Sequence, residues 1–208
     1  MTKPLVQGLY AITHVTDTNE EQLFENVSAA LRGGARFIQY RDKINAANAR
    51  QRIGHRLLML CREYEASLII NDDIGLCQKL KADGIHLGKD DMTLKIAREQ
   101  LGEEKIIGVS CYNQLQLAVN AQQNGADYVA FGSFYSSSTK PKTVNAPIEL
   151  LSEAKTHLAL PTVAIGGITV NNGKALVDAG ADALALINGL FAADDIEMTA
   201  TTLSNYFS

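Results

Sequence analysis

The sequence predicts an α/β protein, a single (β/α)8 barrel of parallel strands with the TIM-barrel architecture. Three observations predict it. Short runs rich in β-branched and aliphatic residues alternate with longer stretches of helical period, eight times along the chain. A short echo recurs just before a strand: Gly34-Ala35-Arg36, Lys81-Ala82-Asp83, Gly125-Ala126-Asp127 and Gly180-Ala181-Asp182. Its alanines stand 47, 44 and 55 positions apart, the length of two β/α pairs in each step. Finally, polar clusters that are hard to explain as ordinary surface follow the strands, and a barrel brings those strand ends to one mouth.

The elements follow in order. Leu9 to Thr13 is the first strand, and Glu20 to Leu31 carries a clear apolar stripe at helical spacing. Arg36 to Tyr40 is the second strand and Asn45 to Tyr64 the second helix. Ser67 to Ile70, Gly84 to Leu87 and Ile106 to Val109 read as the third to fifth strands, with a helix at Asn113 to Gln122. Tyr128 to Phe131, Thr162 to Ile165 and Ala183 to Leu186 complete the eight, and Asn171 to Asp178 is the helix between the last two. Glycine suits the left-handed residue that ends a helix, so the echo marks helix-to-strand turns. Asp83, Asp127 and Asp182 then lie at strand starts, the stability face of a barrel, and are read as structural. Eight pairs fill 208 residues, so residues 1–208 are expected to form one catalytic domain. Ser136, Ser137 and Ser138 fall between a strand and a helix and read as a functional loop rather than a linker.

Composition excludes several classes. Nineteen Lys and Arg stand against 23 Asp and Glu, a net charge of -4 without a basic stripe, so nucleic acid is not an expected partner. No apolar run approaches the ~18 residues of a spanning helix, and Met1 to Gly8 lacks a signal-peptide apolar region. The expectation is a soluble cytoplasmic protein without membrane contact. A homo-oligomer is compatible with the sequence, which does not set the number of copies. Cys61, Cys77 and Cys111 show no zinc or Cys-x-x-Cys spacing and read as buried small hydrophobes.

The chemistry collects after the strands. Gln39, Arg41, Asp42 and Lys43 follow the second; Asn71, Asp72 and Asp73 the third; Lys89, Asp90 and Asp91 the fourth; Ser110 the fifth. Gly132 to Lys140 follow the sixth, Gly166-Gly167 the seventh, and Asn188-Gly189 the eighth. Each has an ordinary alternative: Arg41 and Lys43 as a solvated loop pair, Asp72-Asp73 and Asp90-Asp91 as helix caps, the serines as an exposed turn. Together on one rim they describe a site for a polyphosphate with a metal. A diphosphate carries two to three negative charges, which Arg41, Lys43 and Lys140 neutralise in part. A magnesium ion (Mg2+) on one or two carboxylates, phosphate oxygens and waters would complete the balance, with Asp72 and Asp91 as its ligands. Gly166-Gly167 with Ile168 and Thr169, together with the turn at Asn188, offer backbone amides to a second, smaller phosphate. Two anion sites imply two phosphorylated small-molecule substrates. No nucleophile elbow, P-loop, Rossmann glycine triplet or His-Glu-x-x-His occurs. His55 and His157 fall within helices, His14 follows the first strand, and His86 reads as a satisfied barrel histidine rather than a base.

At these residues the chain resembles the thiamine-phosphate synthase (thiamine-phosphate pyrophosphorylase) family. The matching segments run in order: Leu9 to Thr13, Gln39 to Lys43, Ile69 to Asp72, Ala82 to Gly88 with Asp91, and Ile107 to Ser110. Gly125 to Tyr128 with Gly132, Ser137 to Lys140, and Ala164 to Ile168 follow. The resemblance implies a (β/α)8 transferase of thiamine biosynthesis. Such an enzyme joins 4-amino-2-methyl-5-hydroxymethylpyrimidine diphosphate to 4-methyl-5-(2-hydroxyethyl)thiazole phosphate, giving thiamine phosphate and pyrophosphate. By that pattern Gln39, Arg41, Lys43, Asn71, Ser110 and Lys140 hold the pyrimidine diphosphate, and Asp72 and Asp91 the Mg2+. Ser137, Thr139, Gly167, Ile187 and Asn188, with Ser138 beside them, hold the thiazole phosphate. The family's dissociative reaction needs no protein nucleophile, which agrees with the motifs that are missing. This chain has Ser137 for the usual threonine, Ser133 and Ser136 for frequent prolines, Lys89 for glutamine and Asn188 for serine; no cation or magnesium carboxylate is lost. The competing readings are a thiazole tautomerase-like barrel, which needs a base at the mouth, and a non-catalytic phosphate-binding barrel, which would break the rim charges.

Overall fold

The computed structural model describes residues 3–13, 15, 19–88, 93–136 and 145–208. Eight strands close into a parallel barrel in chain order: β1 (Gly8–Ile12), β2 (Phe37–Tyr40), β3 (Ser67–Asn71), β4 (Gly84–Leu87), β5 (Ile106–Tyr112), β6 (Tyr128–Phe131), β7 (Thr162–Ile165) and β8 (Ala183–Leu186), with β8 pairing back to β1. The connecting helices are α1 (Glu20–Arg32), α2 (Ala47–Glu63), α3 (Ile74–Leu80), α4 (Leu94–Leu101), α5 (Leu115–Gln123), α6 (Glu149–His157) and α7 (Gly173–Asp178). A short α8 (Asn188–Phe191) and α9 (Ile196–Ser204) follow the last strand. Among the described residues no helix is long and apolar enough to cross a membrane.

Local chemistry sets the helix starts. Asn19 accepts from the Gln22 amide at 3.3 Å and Asp73 from the Leu76 amide at 2.8 Å, each satisfying an amide that the first turn leaves unpaired. Glu20 and Glu21 open α1 and Arg32 closes it, in keeping with the helix dipole.

Strand periodicity divides the core in two. Leu9, Ala11, Ile38, Leu68, Ile70 and Ile85 point outward into the large layer beneath the helices. Tyr10, Ile12, Phe37, Ile69, Tyr128 and Ala185 point inward and fill the barrel. Pairing runs unbroken except at β5, where Ser110 faces Ala130 and Tyr112 faces Phe131. That bulge carries β5 three residues beyond its expected end at Val109.

The aspartates of the echo do what their position predicts. Asp83 accepts from the Leu68 amide at 2.8 Å, Asp127 from the Ile107 amide at 2.7 Å, and Asp182 from the Thr162 amide at 2.7 Å. Each carboxylate reaches from the foot of one strand to the foot of the strand before it. Arg98 reaches Asp127 at 2.6 Å and Lys155 reaches Asp182 at 2.5 Å, so these carboxylates are neutralised away from the mouth.

Candidate active site

The same alternation that buries Tyr10 and Ile69 lifts polar side chains of the inward rows to the carboxyl ends of the strands. Gln39, Arg41, Asn71, His86 and Ser110 line a cavity of about 180 Å³, with Tyr10 and Tyr128 at its floor and Ile165, Gly166 and Ile187 on the far wall.

The floor is a connected polar row. Gln39 Nε2 donates to Tyr10 OH at 2.9 Å, and the Tyr10 and Tyr128 hydroxyls lie 2.8 Å apart. His86 Nδ1 stands 2.9 Å from Tyr128 OH, and its Nε2 stands 2.8 Å from Ser110 Oγ. Burial is the largest influence on both phenols and pushes them well above the usual tyrosine range. Space for the Tyr128 ring comes from Gly108, where a Cβ would stand 1.9 Å from the ring's Cζ.

The near rim is built by the turn after β2. The Arg41 amide donates to Thr13 Oγ1 at 2.9 Å, and that hydroxyl lies 3.3 Å from the Arg41 carbonyl, tying the ends of β1 and β2 together. Asp42, buried beneath the turn, accepts from Tyr40 OH at 2.8 Å, from the Ile44 and Asn45 amides, and from Asn45 Nδ2. Desolvation raises its pKa, but these hydrogen bonds outweigh it and hold the carboxyl below its ordinary value. The turn so folded sends Lys43 outward, where it forms an ion pair with Asp72.

Asp72 and Asp73, alike in sequence, separate in role. Asp73 caps α3 and pairs with Arg50 at 3.1 Å. Asp72 adopts φ +55°, a left-handed conformation that aspartate tolerates better than most residues, and its Oδ2 receives Asn71 Nδ2 at 2.6 Å. Its carboxylate is therefore turned to the rim and only partly exposed.

The far rim is where backbones approach. A Cβ at Gly167 would stand 2.5 Å from the Ser136 carbonyl oxygen, and one at Gly189 would stand 2.0 Å from that of Ile168. These glycines let the turns after β6, β7 and β8 close on one another. Asn172 fastens the turn after β7, donating to the Gly167 carbonyl at 3.0 Å and accepting from the Thr169 amide at 2.8 Å. Asn188 opens α8 directly after Ile187.

Of the sequence-predicted residues, Gln39, Arg41, Asn71, Ser110 and Ile187 thus share one cavity; Lys43 and Asp72 meet on its rim; Gly167 and Asn188 adjoin the far wall. Asp91, Ser137, Ser138, Thr139 and Lys140 lie outside the described residues.

The sequence pattern of the thiamine monophosphate synthase family matches residues 9–190. The chain belongs to that family. It is 49% identical over 201 residues to the thiamine-phosphate synthase of Thiobacillus denitrificans, covering 97% of this chain and 95% of that one. The match to the thiamine-phosphate synthase of Methylobacillus flagellatus is 48% over 206 residues, 99% of this chain and 97% of that one. Among solved structures, thiamine phosphate pyrophosphorylase from Pyrococcus furiosus superposes with a TM-score of 0.85 at 32% identity, covering 97% of this chain and 95% of that one.

Membership in the family does not by itself pick out the floor residues. Tyr10, Tyr128 and Tyr112 also line the cavity; in the sequence Tyr10 and Tyr128 read as ordinary strand residues, and Tyr112 falls beyond the expected end of its strand at Val109. Parity was the available signal for two of them, since Tyr10 shares the inward row with Ile12, and Tyr128 with Ala130. Among the described residues, no group of three or more His, Cys, Asp or Glu is gathered as a metal cage. Magnesium does not require one, because it keeps waters and takes phosphate oxygens beside one or two carboxylates. The oxygen donor of Asp72, at the mouth and beside an amide, is of the kind that fits it.

Proposed function

We propose that the chain is a thiamine-phosphate synthase, joining 4-amino-2-methyl-5-hydroxymethylpyrimidine diphosphate to 4-methyl-5-(2-hydroxyethyl)thiazole phosphate with release of pyrophosphate. The observation that carries the reading is the convergence of Arg41, Asn71 and Ser110 on one cavity whose rim holds the Lys43 and Asp72 pair. Family membership and near full-length identity support the same assignment.

In this reading Gln39 and Asn71 orient the pyrimidine. Arg41, Lys43, Ser110 and Lys140 stabilise the charge that grows on the departing diphosphate, an electrostatic effect that needs no reorganisation in a preformed site. Asp72 and Asp91 hold Mg2+, which when bound neutralises part of the same charge. Ser137, Ser138, Thr139, Gly167, Ile187 and Asn188 hold the thiazole phosphate so that its ring nitrogen faces the pyrimidine methylene. The bond to the diphosphate breaks first, the aminopyrimidine supplies electrons to the methylene carbon, and the thiazole nitrogen attacks. The protein contributes charge stabilisation and alignment, and no side chain becomes covalently attached.

The test mixes both phosphorylated substrates with and without magnesium and measures pyrophosphate. Release only when all three are present is the expected result; release from either substrate alone would refute the assignment. Asp72→Ala is expected to abolish magnesium-dependent turnover while far-ultraviolet circular dichroism stays that of the parent. Full activity in that variant would remove Asp72 from the metal site.

A further inference from the structure

The polar row on the barrel floor has a direction. Gln39 is 3% exposed, Tyr10 1% and Tyr128 0%, so their protons must find partners within the row. Gln39 Nε2 donates to Tyr10 OH at 2.9 Å. With Tyr10 accepting from Gln39, the neighbour that can take the Tyr10 proton is the Tyr128 hydroxyl, 2.8 Å away. A Tyr128 that accepts from Tyr10 has His86 Nδ1, 2.9 Å away, as the acceptor for its own proton. A neutral imidazole that accepts at Nδ1 carries its hydrogen on Nε2, and Nε2 faces Ser110 Oγ at 2.8 Å.

We propose that Gln39 sets the direction of this five-residue row, holding His86 as the Nε2–H tautomer and so turning the Ser110 hydroxyl proton into the cavity. Ser110 meets bound substrate as a hydrogen-bond donor. Tyr10, Tyr128 and His86 are positioning residues that act through it. With the opposite direction, the Tyr10 proton would meet the Gln39 N–H head to head between two buried groups. Burial keeps both phenols protonated, so neither supplies a lone pair by ionising. Reversal would also present an oxygen lone pair, in place of a proton, to an incoming anion. Only the identity of the acceptor that Ser110 meets rests on the synthase reading; the tautomer belongs to the free protein.

The experiment is nitrogen-15 NMR of the imidazole side chains in the uniformly labelled, substrate-free protein, with the His86 signals assigned by their loss in His86→Gln. The expected spectrum shows a pyridine-type Nδ1 and a pyrrole-type Nε2. Hydrogen on Nδ1, hydrogen on both nitrogens, or a signal averaged between the two tautomers would overturn the proposal. Gln39→Glu places an acceptor beside Tyr10 and is expected to move the hydrogen to Nδ1; an unchanged tautomer in that variant would remove Gln39 as the residue that sets the direction. The parent spectrum decides the tautomer even where the variant fails to fold. Pyrophosphate release is measured separately, so its absence would refute the synthase reading and leave the tautomer standing.

Discussion

Gly108→Ala tests whether the barrel floor is built around the Tyr128 ring. A methyl group there would stand 1.9 Å from Tyr128 Cζ, 2.3 Å from Cε1 and 2.4 Å from the hydroxyl, where van der Waals contact needs more than 3 Å. The ring is fully buried, and its hydroxyl is hydrogen-bonded to both Tyr10 and His86. Overpacking of a tight core costs about 1–3 kcal/mol. Displacing the hydroxyl leaves buried polar atoms unpaired at a further ~1–3 kcal/mol. The sum, about 4 kcal/mol, is a large part of the ~5–15 kcal/mol that holds a domain folded. With a urea slope of about 2 kcal/mol per molar, the unfolding midpoint is expected to fall by about 2 M. Turnover measured under conditions where the variant is folded is expected to fall as well, because the same ring fixes the row that ends at Ser110. A midpoint within about 0.25 M of the parent, with full turnover, would refute the reasoning.

Four further outcomes follow from other parts of the molecule. Asp127→Ala removes an acceptor for the Ile107 amide and the partner of Arg98 and Lys3, and is expected to cost about 3 kcal/mol in urea unfolding. Lys174→Ala breaks only an exposed pair one helical turn apart and is expected to cost under about 0.5 kcal/mol; equal losses would deny the carboxylate its special place. Burial pushes the Cys61, Cys77 and Cys111 thiols up to about 12, so at pH 8 the native protein is expected to leave all three unreacted with a thiol-titrating disulfide. Denaturant should expose them together, and rapid labelling of the folded protein would contradict the burial. The hydrogen bonds that lower Asp42 stabilise the folded state above the ordinary carboxylate pKa of about 4, and this contribution fades as pH falls through the lower folded value. Parent and Asp42→Asn are therefore expected to differ most near neutral pH and to converge in acid, followed by thermal unfolding; curves that stay parallel would refute it.

The regular part of the barrel was legible because strand and helix periods differ so sharply. β4, β6, β7 and β8 have the bounds expected from the residues alone. β5 was not, because its continuation depends on a bulge against β6 and on a left-handed Tyr112, which pairing imposes and composition does not encode. The near side of the site was legible through its residue types: Gln39, Arg41, Asn71 and Ser110 follow inward rows and arrive in one cavity. In the sequence Asp72 and Asp73 both suit a helix cap, with Asp72 alone expected as a magnesium ligand; in the fold Asp73 accepts from the Leu76 amide and caps the helix, while Asp72 receives the Asn71 side chain. Asp42 looked like a rim carboxylate, yet Tyr40 and Asn45 fold it inward. The Tyr10 and Tyr128 contact joins residues 118 positions apart and exists only once the barrel closes.

The carboxylates at the feet of β4, β6 and β8 make three stapled couples of β3 with β4, β5 with β6 and β7 with β8. Each couple carries its own fastener, so a cut in the connection between couples separates no carboxylate from the amide it grips. A cut inside a couple does. Circular permutants and split halves of this chain have their natural joints after α2, α4 and α6, a modularity inherited from the short echo that first betrayed the fold.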